Sequence, residues 1–172
     1  MKISIALVSL LFALSASAAG VVRYPLPDGN KFPIASAVEV PAGTTLVFQS
    51  GSLGSPKDPT AKPGSPEYWG NTKEQALSAF ANIKKALDTE KLGFGDVVKM
   101  LVFLVGDPAN DNKMDFKGFM EAYTQYFGTA EQPNLPARSA VQVAGLAAPG
   151  ALVEIEVVLA RPNGNKPAAR AH

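Results

Sequence analysis

Two polar groups interrupt strand-like apolar runs, and each is of a type suited to chemistry. Arg138 follows Pro136 at the head of Ala137-Arg138-Ser139-Ala140-Val141-Gln142-Val143. A guanidinium presents a planar fork of donors that matches a carboxylate bidentately, and it stays charged when partly buried. A substrate carboxylate gripped in this way is fixed in position and orientation, which is itself a catalytic contribution. Glu154 lies in the last apolar run, Val153 to Val158, and could orient or deprotonate a water beside such a substrate. Ser50, just before Gly51, could donate a hydroxyl hydrogen bond or offer its backbone. Each also has a plainer explanation. A lone arginine at a strand start is more often structural, and Glu156 reads equally as a solvated carboxylate or as one at a subunit contact.

Absences narrow the chemistry further. The chain has no cysteine, which excludes disulfides, thiolate nucleophiles and Cys-ligated metals. Its single histidine is the final residue, His172, which leaves none for a Ser-His-Asp triad or an HExxH zinc site. A site must therefore be built from Arg, Lys, Glu, Asp, Ser, Tyr and backbone groups. Residues 1–18 read as a removable secretory signal: Lys2, an apolar run from Ile3 to Leu14, then Ala16-Ser17-Ala18. That run is too short for a spanning helix. Cleavage after Ala18 leaves 15 Lys+Arg against 15 Asp+Glu, because Lys2 is the only charged residue removed. A balanced chain without a basic run lacks the footprint of a nucleic-acid binder or a membrane-surface protein. The expected location is periplasmic or secreted, with no membrane contact after cleavage.

The elements that must position these residues follow from periodicity. Residues 20–34, rich in Pro and Gly, lead into two β-type runs, Ala35–Val40 and Thr44–Ser50, which Pro41-Ala42-Gly43 would join as a hairpin. Gly51 to Asn71, with four prolines, reads as a long loop. Its Tyr68 and Trp69 are either lid residues or aromatics pinning the loop to the surface. Asn71 or Thr72 caps a helix with Glu74 and Gln75 in capping-box positions, and Leu77, Phe80, Ile83 and Leu87 share a face that ends before Gly93. Val97–Val105 is apolar on both alternating sets except Lys99, as a covered central strand would be. A second helix over Met114–Phe127 carries the stripe Phe116, Phe119, Met120, Tyr123 and Phe127, with Gly128 as its C-cap. That stripe is read as core, with coenzyme or nucleobase stacking as the alternative. Strands over Arg138–Leu146 and Ala151–Ala160 complete one domain over residues 19–161, and residues 162–172 are expected to be disordered. The order β-β-α-β-α-β-β implies an α+β domain with helices on one face of a mixed sheet.

Pro136 to Ala144 followed by Gly150-Ala151-Leu152-Val153-Glu154-Ile155-Glu156 resembles the C-terminal signature of the RidA/YjgF family of reactive-intermediate deaminases. The resemblance extends through Phe48-Gln49-Ser50-Gly51, Asn82-Ile83-Lys84 and Asp96-Val97-Val98-Lys99, and covers about residues 33–160. It implies a chorismate-mutase-like α+β fold, a homotrimer with a pocket in each cleft between subunits, and hydrolysis of 2-imino and enamine acids without metal or organic cofactor. By the same resemblance Arg138 grips the substrate carboxylate, Glu154 helps place the attacking water, and Ser50 and Gly51 line the pocket. Two positions depart from the pattern. Ile34 follows Pro33 where many active members have tyrosine, and Ala140 stands where many carry cysteine. Tyr68 is then a candidate to fill the place of the missing ring. The rival expectation is a non-catalytic trimer that binds small carboxylates or other proteins.

Overall fold

The computed structural model describes residues 20–162. The signal read over residues 1–18, and the tail beyond Pro162, lie outside them. The organising element is β6, Val153–Ala160, whose residues alternate in burial. Val153, Ile155, Val157 and Leu159 are at most 1 % exposed, whereas Glu154, Glu156 and Val158 face the other way and are half-buried. β4, Val97–Val105, alternates likewise, with Met100, Val102 and Leu104 fully buried. β3, Leu46–Leu53, and β5, Ala137–Val143, complete a four-stranded sheet in the order β3-β6-β4-β5. β6 runs antiparallel to both neighbours, and β4 and β5 are parallel. The fold is α+β with a mixed sheet, as expected.

The buried face is covered by two helices. α2, Thr72–Thr89, follows a short α1, Pro66–Trp69. Asn71 caps α2 through a reciprocal box: its Oδ1 accepts from the Glu74 amide at 3.0 Å, and Glu74 Oε2 accepts from the Asn71 amide at 3.0 Å. α3, Phe116–Tyr123, is capped by Asp115, whose Oδ1 accepts from the Gly118 amide at 2.8 Å. Phe80 and Ile83 of α2 and Phe119 and Tyr123 of α3 enter one apolar cluster with β4 and β6. The aromatic stripe on α3 is thus core along most of its length.

Several boundaries differ from the sequence reading. The runs on either side of Pro41-Ala42-Gly43 do not form a hairpin. β2, Ala37–Glu39, pairs instead with β1, Val22–Tyr24, in a separate two-stranded ribbon, and β3 pairs with β6. The eight-residue β6 offers β3 a long apolar partner that the three-residue β2 cannot. The region before residue 35 therefore contains a strand. Its Arg23 reaches into the domain and donates to the carbonyls of Gly95, Val97 and Leu135 at 2.7–3.0 Å. The second helix is shorter than read, and chain beyond Tyr123 continues as turns, with the Tyr126 and Phe127 amides on the Tyr123 carbonyl. β5 ends at Val143 rather than Leu146, and β6 starts at Val153 rather than Ala151. The loop after Gly51 is also shorter than read, because β3 runs to Leu53 and α1 lies inside the remainder.

Candidate active site

β3 carries a bulge at the place where chemistry was expected. Gln49 pairs with Val157, but Ser52 pairs with Ile155, so Ser50 and Gly51 together stand against Glu156. A bulge adds one residue to one strand and re-aims the side chains beside it. Val47 and Gln49 lie opposite the buried Leu159 and Val157, whereas Ser50 lies on the face away from the helices, which Val21, Val38 and Val40 cover only over Val98 and Ala160 and which is otherwise uncovered. There Ser50 borders a cavity of ≈ 230 Å³ with Phe48, Lys99, Leu101, Glu156 and Val158. Gly51 lies under Glu154: a Cβ at position 51 would fall 2.7 Å from the Glu154 carboxyl carbon. The fold therefore brings Ser50, Gly51 and Glu154 together on the uncovered face.

Arg138 is elsewhere. It pairs in parallel register with Met100, so its side chain leaves the sheet on the helix-covered face, while Glu154, paired with Phe103 and Leu53, leaves on the other. Within one chain the two residues are separated by the thickness of the sheet. β5 is an edge strand, and its guanidinium meets a box of aromatic rings: Cζ lies 4.3 Å from the Tyr123 ring centroid, 5.2 Å from Phe119, 5.5 Å from Phe32 and 5.8 Å from Phe116. All four are within range of cation–π attraction. Burial pulls the guanidinium below its ordinary pKa, against the opposing influence of Tyr123. Burial likewise pushes the Tyr123 phenol far above its ordinary value, and Arg138 and Arg23 act in the other direction. The Nη1 atom of Arg138 is buried and has no hydrogen-bond partner among the described residues. A buried donor left unmatched costs about 1–3 kcal/mol, more when charged.

Ile34 is half-buried near that box, one residue before the Ala35 bridge to Ala137, and the Tyr123 hydroxyl donates to the Pro33 carbonyl at 2.8 Å. The ring this segment sets against Arg138 belongs to Phe32. Phe32 carries no pattern signal in the sequence, and Phe116, Phe119 and Tyr123 read there as core, with coenzyme or nucleobase stacking as the alternative. The available signal was the combination of that stripe with the strand that follows it. Tyr68 is not among the rings around Arg138. It packs edge-on to Trp69, with centroids 5.1 Å apart, and the Trp69 indole donates to the Pro149 carbonyl at 2.8 Å. The pinning reading holds for Trp69. Among the described residues, no group of three or more His, Cys, Asp or Glu could hold a metal ion, and no helix is long and apolar enough to cross a membrane.

Residues 30–161 match the family described as Endoribonuclease L-PSP. The chain belongs to this family. Among its relatives, the rat 2-iminobutanoate/2-iminopropanoate deaminase is 37 % identical over 112 residues, covering 65 % of this chain and 70 % of the rat protein. TdcF of Escherichia coli, described as a candidate reactive intermediate deaminase, is 32 % identical over 117 residues, 68 % of this chain and 80 % of TdcF. A crystal structure of TdcF with bound serine superposes with a TM-score of 0.51 at 30 % identity, over 81 % of this chain and 94 % of that one. A Mycobacterium tuberculosis structure described as a member of the YjgF/YER057c/UK114 family gives 0.50 at 28 % identity, over 74 % and 86 %. The L-PSP family thus includes proteins named as deaminases of reactive imines, and the resemblance read from residues 33–160 is to this same family.

Proposed function

We propose that this protein is a cofactor-independent hydrolase that converts 2-imino acids, in equilibrium with their enamines, to 2-oxo acids and ammonia. The observation that carries the reading is Arg138 itself, a half-buried arginine on the edge strand whose Nη1 has no hydrogen-bond partner among the described residues. A carboxylate is the acceptor whose geometry fits the guanidinium fork. Support comes also from the serine-bound TdcF structure, because serine, like a 2-imino acid, carries a carboxylate and an α-nitrogen. Arg138 and Glu154 leave opposite faces of the sheet, so a site using both needs two copies of the chain. The uncovered face presents Phe48 at 73 %, Leu46 at 42 % and Val141 at 45 % exposure, apolar surface suited to a subunit contact. We accordingly assign the site to the clefts of a homotrimer, with Arg138 from one subunit and Ser50, Gly51 and Glu154 from its neighbour.

In that cleft the carboxylate of R–C(=NH)–COO⁻ docks on Arg138. Glu154 orients a water and takes its proton as oxygen adds to the imine carbon and the C=N electrons move to nitrogen, which takes that proton from Glu154 to give the neutral carbinolamine R–C(OH)(NH2)–COO⁻. The resulting carbinolamine receives a proton on nitrogen and loses the one on oxygen. The C–N bond breaks, ammonia leaves and the 2-oxo acid remains. Export through the leader at residues 1–18 is part of the proposal, and it places the imine source in the periplasm or outside the cell, for instance an exported amino-acid oxidase or dehydrogenase. The test generates imines in situ with an amino-acid oxidase and traps them with semicarbazide. The protein should accelerate loss of trapped imine, and Arg138→Ala should not. No acceleration across several side chains would leave a non-catalytic carboxylate binder.

A further inference from the structure

The box around Arg138 is not uniform. Phe119 and Tyr123 are fully buried and spend their rings on the core. Phe32 is 38 % exposed and Phe116 is half-buried, and the two rings lie nearly parallel, 21° apart with centroids at 6.3 Å. They come from different elements, Phe32 from the segment crossing the sheet edge and Phe116 from the first residue of α3. Both reach the guanidinium, with ring centroids 5.5 and 5.8 Å from Cζ, and each still has apolar area to lose.

We infer that these two rings form the side-chain subsite, and that it selects 2-imino acids with an aromatic or bulky apolar side chain over small or charged ones. The inference rests on the deaminase reading of the same site. A bidentate pair fixes both the distance and the orientation of the carboxylate, at about 2.7–2.9 Å per bond. The α-carbon and the first side-chain atoms of the ligand then lie beside the rings that flank the fork. A bulky apolar group removes ring surface from water there, and an aromatic one adds ring–ring attraction. A charged or strongly polar side chain loses hydration against phenyl faces, and neither ring supplies a hydrogen bond in return. A methyl side chain is too small to cover either ring.

The experiment compares imines generated from phenylalanine, leucine, alanine and glutamate. The expected result is kcat/KM for the phenylalanine- and leucine-derived imines at least about tenfold above the alanine-derived one, and lowest for glutamate, in line with what apolar pockets achieve. Phe32 sits in an exposed segment, so Phe32→Ala tests the subsite without opening the core. It should lower the phenylalanine-to-alanine ratio at least fivefold, and Phe32→Leu should restore part of it. Equal kcat/KM across the series, or a preference unchanged in Phe32→Ala, overturns the inference and leaves the deaminase reading standing. Calorimetric binding of 3-phenylpropanoate and propanoate separates the two ideas if no imine is hydrolysed. Tighter binding of the phenyl acid, lost in Phe32→Ala, then upholds the ring subsite without the reaction, and equal binding removes both.

Discussion

Gly51 and Glu154 occupy one space: the bulge in β3 brings the backbone of Gly51 against the Glu154 carboxylate, and any Cβ at position 51 would meet the carboxyl carbon at 2.7 Å and Cγ at 2.9 Å. The glycine is needed for this close approach rather than for its backbone angles. Gly51→Ala should push the Glu154 side chain aside while leaving the strand pairing intact. A displacement of about 1 Å at a catalytic group costs on the order of 10²-fold in rate. The expected outcome is a kcat loss of that order with a Tm change of only a few degrees. A variant that turns over imines normally would show that Glu154 need not hold this position.

Arg138 is predicted to be a residue kept for activity at no gain in stability. Among the described residues its Nη1 is buried without a partner, and four ring contacts are what the protein sets against the desolvation of its charge. Arg138→Met retains much of the apolar stem and removes the orphan donor. It should abolish imine hydrolysis while Tm stays level or rises by up to about 3 °C. Arg138→Lys keeps the charge but loses the fork, and kcat/KM should remain at least about 10²-fold below wild type. Thermal melts and kinetics on the same preparations check both halves.

Two residues of the proposed site stand out in the sequence because they violate their local pattern. A charge in an apolar strand run, as at Arg138 and Glu154, is visible from alternation alone. The capping box at Asn71 and Glu74 was readable for the same kind of reason, since both partners lie within one turn. What alternation could not supply was register between distant strands. The parallel pairing of Arg138 with Met100 decides that it faces the helices, and no local signal near residue 138 encodes it. Phe32 escaped notice because its role depends on a segment more than 100 positions away. The hairpin at residues 35–50 failed on the same ground: its turn chemistry was sound, but β6 outcompeted the local partner.

Arg23 belongs to a segment that sequence reasoning left without structure, yet its guanidinium satisfies three backbone carbonyls at the base of β4 and ahead of β5. Burial lowers its pKa from the ordinary value, and Asp96 acts in the opposite sense. Arg23→Met strands those carbonyls in a half-buried position. The expected loss is about 2–3 kcal/mol, which for a domain of this size lowers Tm by roughly 5–10 °C. Denaturant melts at neutral pH measure it, and a change below about 0.5 kcal/mol would contradict the clamp.

Tyr123 joins the core to the segment that carries Phe32, through its hydroxyl bond to the Pro33 carbonyl. Tyr123→Phe keeps the ring under Arg138 and deletes only that bond, at a cost of about 1 kcal/mol. With Phe32 less firmly placed, KM should rise more than kcat falls. The phenol also has a pH signature. Its folded pKa is raised by burial, so the folded state holds the proton more tightly than the unfolded one. Stability from this group is complete below the unfolded value near 10 and is lost as pH rises beyond it. Melts between pH 8 and 11 should show an alkaline decline in wild type that is weaker in Tyr123→Phe.

The opposite facing of Arg138 and Glu154 yields a test of the shared site that no single variant can give. Arg138→Ala and Glu154→Gln homo-oligomers should each be inactive, since every cleft lacks one group. Denaturing them together in equal amounts and refolding allows subunits to mix. A cleft that draws its arginine from a Glu154→Gln subunit and its glutamate from an Arg138→Ala subunit is then complete. Random assembly in a cyclic oligomer makes about one cleft in four complete, so roughly a quarter of wild-type activity should return. Mixing without refolding should return almost none. If the refolded mixture is as inactive as its parents, although sedimentation shows trimers, the two residues do not serve one cleft, and Glu154 loses its assigned role in placing the water.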